Sequence, residues 1–239
     1  MTFRNIVIIG SSGAIGTAFA EHYAKEQNCS IHLLSRSETT LSAKNIKFYP
    51  VDYTDESSFS DAAGRAAQSG AFDLVVVATG LLHDETMGPE KGLRDLTAVN
   101  LEKIFFVNTI VPALAGKYFL PKLQRKQRAV FAALSARVGS IGDNRLGGWY
   151  GYRASKAALN MMIKTASIEM ARRYKDAIVV GLHPGTVDSR LSKPFQRNVP
   201  AQQLFSPQHA VTKLAGVIEN LTPADSGCVF AWDGRKVPC

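Results

Sequence analysis

Ile6-Val7-Ile8-Ile9-Gly10-Ser11-Ser12-Gly13-Ala14-Ile15-Gly16 decides the fold. The first four residues are a continuous apolar run, the mark of a parallel strand buried on both faces. The next seven carry three glycines among small residues, and a helical stretch, Thr17 to Gln27, follows. Strand, glycine-rich turn and helix present backbone N–H groups at a helix N-terminus, where they can hold a pyrophosphate. Gly10, Ser12, Gly13, Ile15 and Gly16 are therefore cofactor-binding candidates. A tight turn using glycine only for its dihedrals is the plain alternative. Three glycines with both flanks correct favour the nucleotide.

Working outward, six more apolar runs read as strands: Ser30–Leu34, Lys47–Val51, Phe72–Val77, Ala129–Leu134, Ile178–Leu182 and Val229–Trp232. Helical patterns alternate with them, including Glu56–Gln68, Leu101–Gln124 with Pro112 inside, Ala154–Tyr174 and Pro207–Asn220. Pro112 should kink its helix or mark a boundary. Asp55 reads either as a carboxylate near an adenine or as an N-cap. The alternation predicts α/β architecture: a doubly wound, parallel, seven-stranded sheet with helices on both faces, in one domain over 1–239. The stretch 190–206 is polar, holds two prolines and lacks periodicity, and reads as a mobile lid.

Ligands in such sheets sit at the C-terminal ends of the strands. The second strand ends in Ser35-Arg36-Ser37, with no acid to bind ribose hydroxyls. The Arg36 fork suits a phosphate, which points to NADP(H) over NAD(H). Asp52-Tyr53 follow the third strand. Ala78-Thr79-Gly80 follow the fourth and let backbone approach a ligand. Asn108, a polar amide in an apolar stretch, is a core hydrogen-bonding residue or part of a site.

Tyr152-Arg153-Ala154-Ser155-Lys156 places a phenol and an ammonium four residues apart, on one helix face. A nearby cation pulls a phenol's pKa down from about 10. That would fit the pair for general acid–base work.

Composition bounds the rest. A chain of 239 residues, 46% hydrophobic and 20% charged, is ordinary for a globular α/β protein. No apolar run approaches the ~20 residues of a bilayer span, and no signal peptide is expected before Ile6. The net charge of +8 is scattered, without the interleaved aromatics of a nucleic-acid platform. Cys29, Cys228 and Cys239 lack metal spacing, and no metal is expected. They read as reduced thiols of a cytoplasmic protein.

Taken in order, Gly10–Gly16, Asp52, Ala78-Thr79-Gly80, Val107-Asn108, Ser135, Tyr152–Lys156 and Pro184-Gly185 resemble the short-chain dehydrogenase/reductase family over nearly the whole chain. Gly139-Ser140-Ile141, Gly147-Gly148-Trp149-Tyr150 and Phe230–Gly234 bring it nearest the branch of C-factor-like proteins and carbonyl reductases. The resemblance implies hydride transfer between a nicotinamide and a carbonyl or alcohol carbon of a small molecule. Tyr152 would be the acid. Lys156 would depress its pKa and hold the nicotinamide ribose, and Asn108 would anchor a proton-relaying water. Pro184, Gly185, Val187 and Ser189 would clasp the nicotinamide. Asp52 and Tyr53 would flank the adenine. A homodimer or homotetramer through the two long helices is implied, with neither nucleic acid nor membrane as partner.

The sequence departs from the pattern in three places. Ala14 stands where the family usually has glycine. Ala78-Thr79-Gly80 replaces Asn-Ala-Gly. Ala136 falls where the branch carries its carbonyl-holding serine, leaving Ser135, with Ser140 as the other candidate. A donor lost there costs on the order of 100-fold in rate. The competing reading is a cofactor-binding regulatory or signalling protein of C-factor type, with weak or no catalysis.

Overall fold

Each of the seven apolar runs forms a strand, and all seven join one parallel sheet in the order β3-β2-β1-β4-β5-β6-β9. The computed structural model describes residues 3–26, 28–39 and 41–238. The sheet strands are β1 (Asn5–Ile9), β2 (Ser30–Ser35), β3 (Ile46–Pro50), β4 (Leu74–Val77), β5 (Ala129–Leu134), β6 (Ala177–His183) and β9 (Val229–Ala231). β7 (Thr186–Val187) and β8 (Leu204–Phe205) pair separately. The helices are α1 (Ala14–Ala24), α2 (Glu56–Ala66), α3 (Ala98–Phe105), α4 (Val111–Phe119), α5 (Tyr150–Ala171) and α6 (Pro207–Asn220).

Successive strand residues point to opposite faces, so an unbroken apolar run feeds two cores. Ile6 and Ile8 of β1 pack with Phe19 of α1 and Leu214 of α6. Val7 and Ile9 pack with Phe59 of α2, Phe119 of α4 and Leu159 of α5. The result is a doubly wound, Rossmann-type α/β fold with helices on both faces. Asp55 caps α2, accepting from Ser57 N–H, and Ser206 caps α6 through His209 N–H.

Several local expectations change. The helix foreseen over Leu101–Gln124 is α3, a π-turn at Phe106–Ile110, then α4. Pro112 falls in the first turn of α4, directly after the π-turn, where the helical run changes its hydrogen-bonding pattern. The helical run 98–122 is long and apolar enough to cross a bilayer, contrary to the sequence reading, but half of it is buried in the fold. α1 begins earlier than expected, at Ala14; the far end foreseen at Gln27 lies outside the described residues, as does Cys239. α5 begins at Tyr150, not Ala154. The stretch 190–206 is not featureless: it holds 3-10 turns at Lys193–Asn198 and Ala201–Gln203, and then β8.

Candidate active site

The glycine turn sits against the sheet. Gly10 takes a left-handed φ of 82°, and a Cβ there would lie 3.0 Å from the Ala78 carbonyl carbon. A Cβ on Gly16 would lie 2.2 Å from Gly10 O, so only glycine lets α1 start this close to the turn. α1 has no side-chain N-cap and no acid in its first turn. Its leading N–H groups and positive dipole end thus suit an anion. The cradle suits a pyrophosphate, and Ala14, the departure from the family pattern, begins the helix without disturbing it.

Buried polar atoms left without partners mark the same C-terminal edge of the sheet. Among the described residues they include Thr79 Oγ1 after β4 and His183 Nδ1 at the end of β6; Tyr23 and Arg128 carry others away from this edge, and the buried Tyr53 hydroxyl after β3 lies against the Gly10 backbone. Such atoms are costly unless something else satisfies them. Together with the cradle, they fit a polar ligand lying along this edge. Arg36 lies beside Tyr53, its guanidinium 5.8 Å from the ring centroid. The Asp52 carboxylate accepts from Thr54 N–H and Oγ1, at 2.9 and 2.7 Å.

At the other end, Tyr152 and Lys156 share the buried face of α5. Tyr152 lies among Leu82, Met87, Ile104 and Ala136, with Trp149, Leu191 and Phe195 packed around them. Lys156 Nζ donates to Leu134 O at 2.8 Å and stands 5.9 Å from the Tyr152 ring centroid. Gly139 brings the preceding loop directly onto Lys156: a Cβ there would be 2.8 Å from that residue's backbone.

Electrostatics differ from the sequence expectation. Burial pushes the Tyr152 phenol up to about 12 and the Lys156 ammonium down to about 7. Desolvation disfavours both charged forms and is the cause of both shifts, against the lowered phenol expected from a neighbouring cation. Burial, with Arg137 next, likewise holds His183 near 4.

Asn108 lies in the π-turn and is fully buried. Its Oδ1 accepts from Leu81 N–H at 2.8 Å; its Nδ2 donates to Leu81 O at 2.8 Å and Ser155 Oγ at 3.0 Å. The amide therefore ties the loop after β4 to α5. Ser155 Oγ in turn donates to Tyr152 O at 2.9 Å.

Ser135, the serine expected to hold the carbonyl, has a side-chain partner of its own. Its Oγ donates to Asn160 Oδ1 at 2.6 Å, on α5 one turn beyond Lys156. The next residue is extended (Ala136, φ −151°, ψ 147°), a 3-10 turn begins at Arg137, and Ala136 packs in the cluster with the tyrosine. Ser140, also buried, accepts from Asp143 N–H at 3.1 Å.

After β6, Gly185 takes φ 77°, and a Cβ there would meet Phe205 at 2.9 Å and Trp232 at 3.0 Å. Ser189 Oγ donates to Val187 O at 3.2 Å. Leu191 approaches Gly80: a Cβ on the glycine would lie 3.5 Å from Leu191 Cδ1. His83 reaches the main-chain oxygens of Arg190 and Leu191, at 3.0 and 3.2 Å. The residues after β1, β4, β5 and β6 and the start of α5 thus line one edge. Glu90, His83 and Phe195 join them without having been singled out, and Trp149 stood out only as part of the Gly147-Gly148-Trp149-Tyr150 stretch. Only the paired glycines before Trp149 signalled an unusual loop.

The sequence and the fold have counterparts. A 1-hydroxy-2-glutathionyl-2-methyl-3-butene dehydrogenase of Rhodococcus sp. (strain AD45) is 34% identical over 198 residues, 81% of each chain. C-signal of Myxococcus xanthus is 32% identical over 146 residues, 61% of this chain and 82% of its own. The solved structure of an NADPH-bound carbonyl reductase from chicken fatty liver matches over the whole of both chains, with a TM-score of 0.85 at 24% identity, a likeness of fold. The family profile described as short chain dehydrogenase covers residues 4–200, and the chain belongs to that family.

Proposed function

We propose that the protein is an NADPH-dependent reductase of small-molecule carbonyls, with Tyr152 as the general acid. The observation that carries this reading is the Tyr152–Lys156 pair on the buried face of α5, at the sheet edge that also holds the glycine cradle. NADPH, when bound, supplies the hydride. A phenol held near 12 is protonated at neutral pH. It can give that proton to a carbonyl oxygen as the carbon is reduced, yielding the alcohol. The phenolate left behind lies beside Lys156, whose cation offsets the new charge in a low-dielectric site. Leu134 O holds that ammonium in place. Asn108 positions α5 through Ser155.

Gly10, Ser12, Gly13, Ile15 and Gly16 would hold the pyrophosphate. Arg36 would meet a ribose phosphate, giving NADP(H) preference over NAD(H), with Asp52 and Tyr53 at the adenine. Ala78, Thr79 and Gly80 would border the ribose. Pro184, Gly185, Val187 and Ser189 would clasp the nicotinamide, and residues 190–206 would cover the substrate. Val99 and Ile110, with Met161 and Ile168 of α5, expose apolar surface. That surface supports a homodimer, readable by sedimentation. Cys29 and Cys228 are free thiols, which suits a cytoplasmic setting.

The test is to follow NADPH oxidation with a panel of aldehydes and ketones. Turnover abolished by Tyr152→Phe supports the reductase. Turnover surviving that change, or no calorimetric heat on adding NADPH, overturns it. Tight NADPH binding without turnover on any carbonyl would favour a signalling role instead, the reading to which Ala136 and the likeness to C-signal lend weight.

A further inference from the structure

We infer that Glu90 is a positioning residue that fixes the entrance of α5, and through Trp149 fixes both Tyr152 and the segment over it. The inference rests on the reductase reading of this site. Glu90 is a carboxylate, yet only 5% exposed. Its Oε2 accepts from the N–H of Gly151, the residue before Tyr152, at 3.1 Å. Its main-chain oxygen accepts from Trp149 N–H at 2.6 Å. One residue thus grips the helix entrance with both backbone and side chain.

The entrance is built to be gripped. Gly147, Gly148 and Trp149 are three successive left-handed residues, with φ of 63°, 62° and 52°. A bulky residue holds that conformation only when its surroundings over-determine it. Arg153 braces the other side, its Nε donating to the Gly147 and Gly148 oxygens at 3.2 and 3.0 Å. A Cβ on Gly151 would lie 2.8 Å from Glu90 Oε1, so glycine there admits the carboxylate. α5 has no side-chain cap from its own N-cap residue. Glu90 brings the acceptor and the negative charge from a loop 61 residues away.

What the grip controls is the indole. The Trp149 ring stands 6.2 Å from the Tyr152 ring, edge to face, and 5.1 Å from Phe195 of the covering segment. Without the carboxylate, Gly151 N–H loses its acceptor while Trp149 N–H keeps only the Glu90 main-chain oxygen, so the left-handed entrance loses one of its two anchors and Trp149 shifts toward an ordinary backbone conformation. The indole would then leave both neighbours, and the phenol would lose its wall. A cap that only stabilised the helix would lower the melting temperature and leave turnover per folded molecule unchanged.

The experiment compares Glu90→Ala and Glu90→Gln with the parent chain. Acrylamide quenching is read in a Trp232→Phe background, where Trp149 is the remaining tryptophan of the two. In Glu90→Ala we expect kcat on the best carbonyl of the panel to fall at least tenfold, NADPH affinity to stay within threefold, and Trp149 quenching to rise. Glu90→Gln keeps an acceptor for Gly151 N–H and should restore kcat to within threefold of the parent. Parental kcat and quenching in Glu90→Ala would overturn the inference, as would equal losses in both variants. Should Glu90→Ala fail to fold, Gly151→Ala disturbs the same contact and must reproduce both effects. If the parent chain turns over no carbonyl at all, the reductase reading fails, and the quenching comparison alone decides whether Glu90 holds Trp149.

Discussion

Ser135 donates its hydroxyl proton to Asn160 Oδ1 at 2.6 Å, which commits the serine to α5 and leaves Ala136 as the residue of this stretch that packs in the cluster with Tyr152. On the reductase reading, the wall beside Tyr152 presents a methyl group where a hydroxyl donor would strengthen as negative charge develops on the carbonyl oxygen. Ala136→Ser should raise kcat/KM for a simple ketone on the order of ten- to a hundredfold, since one such donor carries about that much. Ser135→Ala should instead lower the melting temperature and leave kcat within threefold. Steady-state kinetics on both variants check this. A rate loss in Ser135→Ala with no gain in Ala136→Ser would show that Ser135 reaches the substrate after all.

The depressed ammonium of Lys156 has a consequence for stability. Its pKa is about 7 in the fold, against about 10.4 in an unfolded chain. Between those values the unfolded state binds more protons, so stability rises with pH across that window and falls again as pH drops toward 7. The slope approaches about 1.4 kcal/mol per pH unit in mid-window. The buried phenol of Tyr152 acts in the opposite sense, but only above about 10. Urea denaturation from pH 7 to 9.5 should show the parent chain gaining stability relative to Lys156→Met. Parallel curves for the two proteins would contradict the burial of that ammonium.

Acid should destabilise the protein through a group far from the site. His32 is 1% exposed; its Nε2 meets Asn5 Oδ1 at 2.8 Å and Ser69 Oγ at 2.9 Å, and its Nδ1 meets the Tyr49 hydroxyl at 3.2 Å. Burial, then Lys47, holds its pKa near 4. The unfolded histidine protonates first as pH falls below about 6.5, so the fold loses up to about 3 kcal/mol between there and pH 4. His32→Gln should flatten that part of the stability profile. An unchanged acid slope in the variant would assign the loss to other groups.

Much of this architecture is legible in sequence because buried parallel strands leave uninterrupted apolar runs, and β1 through its glycine turn is the clearest of them. The Tyr152–Lys156 spacing is legible for a similar reason, since helical periodicity alone puts both on one face. The π-turn at Phe106–Ile110 is not, because one extra residue in a turn leaves no compositional mark. Nor is the orientation of Ser135, which depends on a partner 25 residues away. β7 and β8 are two residues each, too short for any period to register. The direction of the Tyr152 shift is not legible either, because spacing reports the neighbouring charge and says nothing of how completely both groups are desolvated.

Arg36 sets up the last prediction. It follows β2, is exposed at the edge of the cradle, and lies over the Tyr53 ring at 5.8 Å. Its positive charge also helps hold the Asp52 carboxylate below its ordinary range, after the hydrogen bonds from Thr54. No acid stands at the end of β2 to accept ribose hydroxyls, so the contact that Arg36 can offer is a charge-assisted fork to a phosphate. Hydrogen bonds to charged groups contribute about 1.5–3 kcal/mol, a factor of roughly 10–150 in affinity. Arg36→Ala should weaken NADPH by about that factor and leave NADH within threefold. Arg36→Asp should weaken NADPH further by repulsion while offering NADH a carboxylate. Isothermal titration of both nucleotides against the three proteins checks this, and an equal loss for NADH and NADPH in Arg36→Ala would remove the arginine from phosphate recognition.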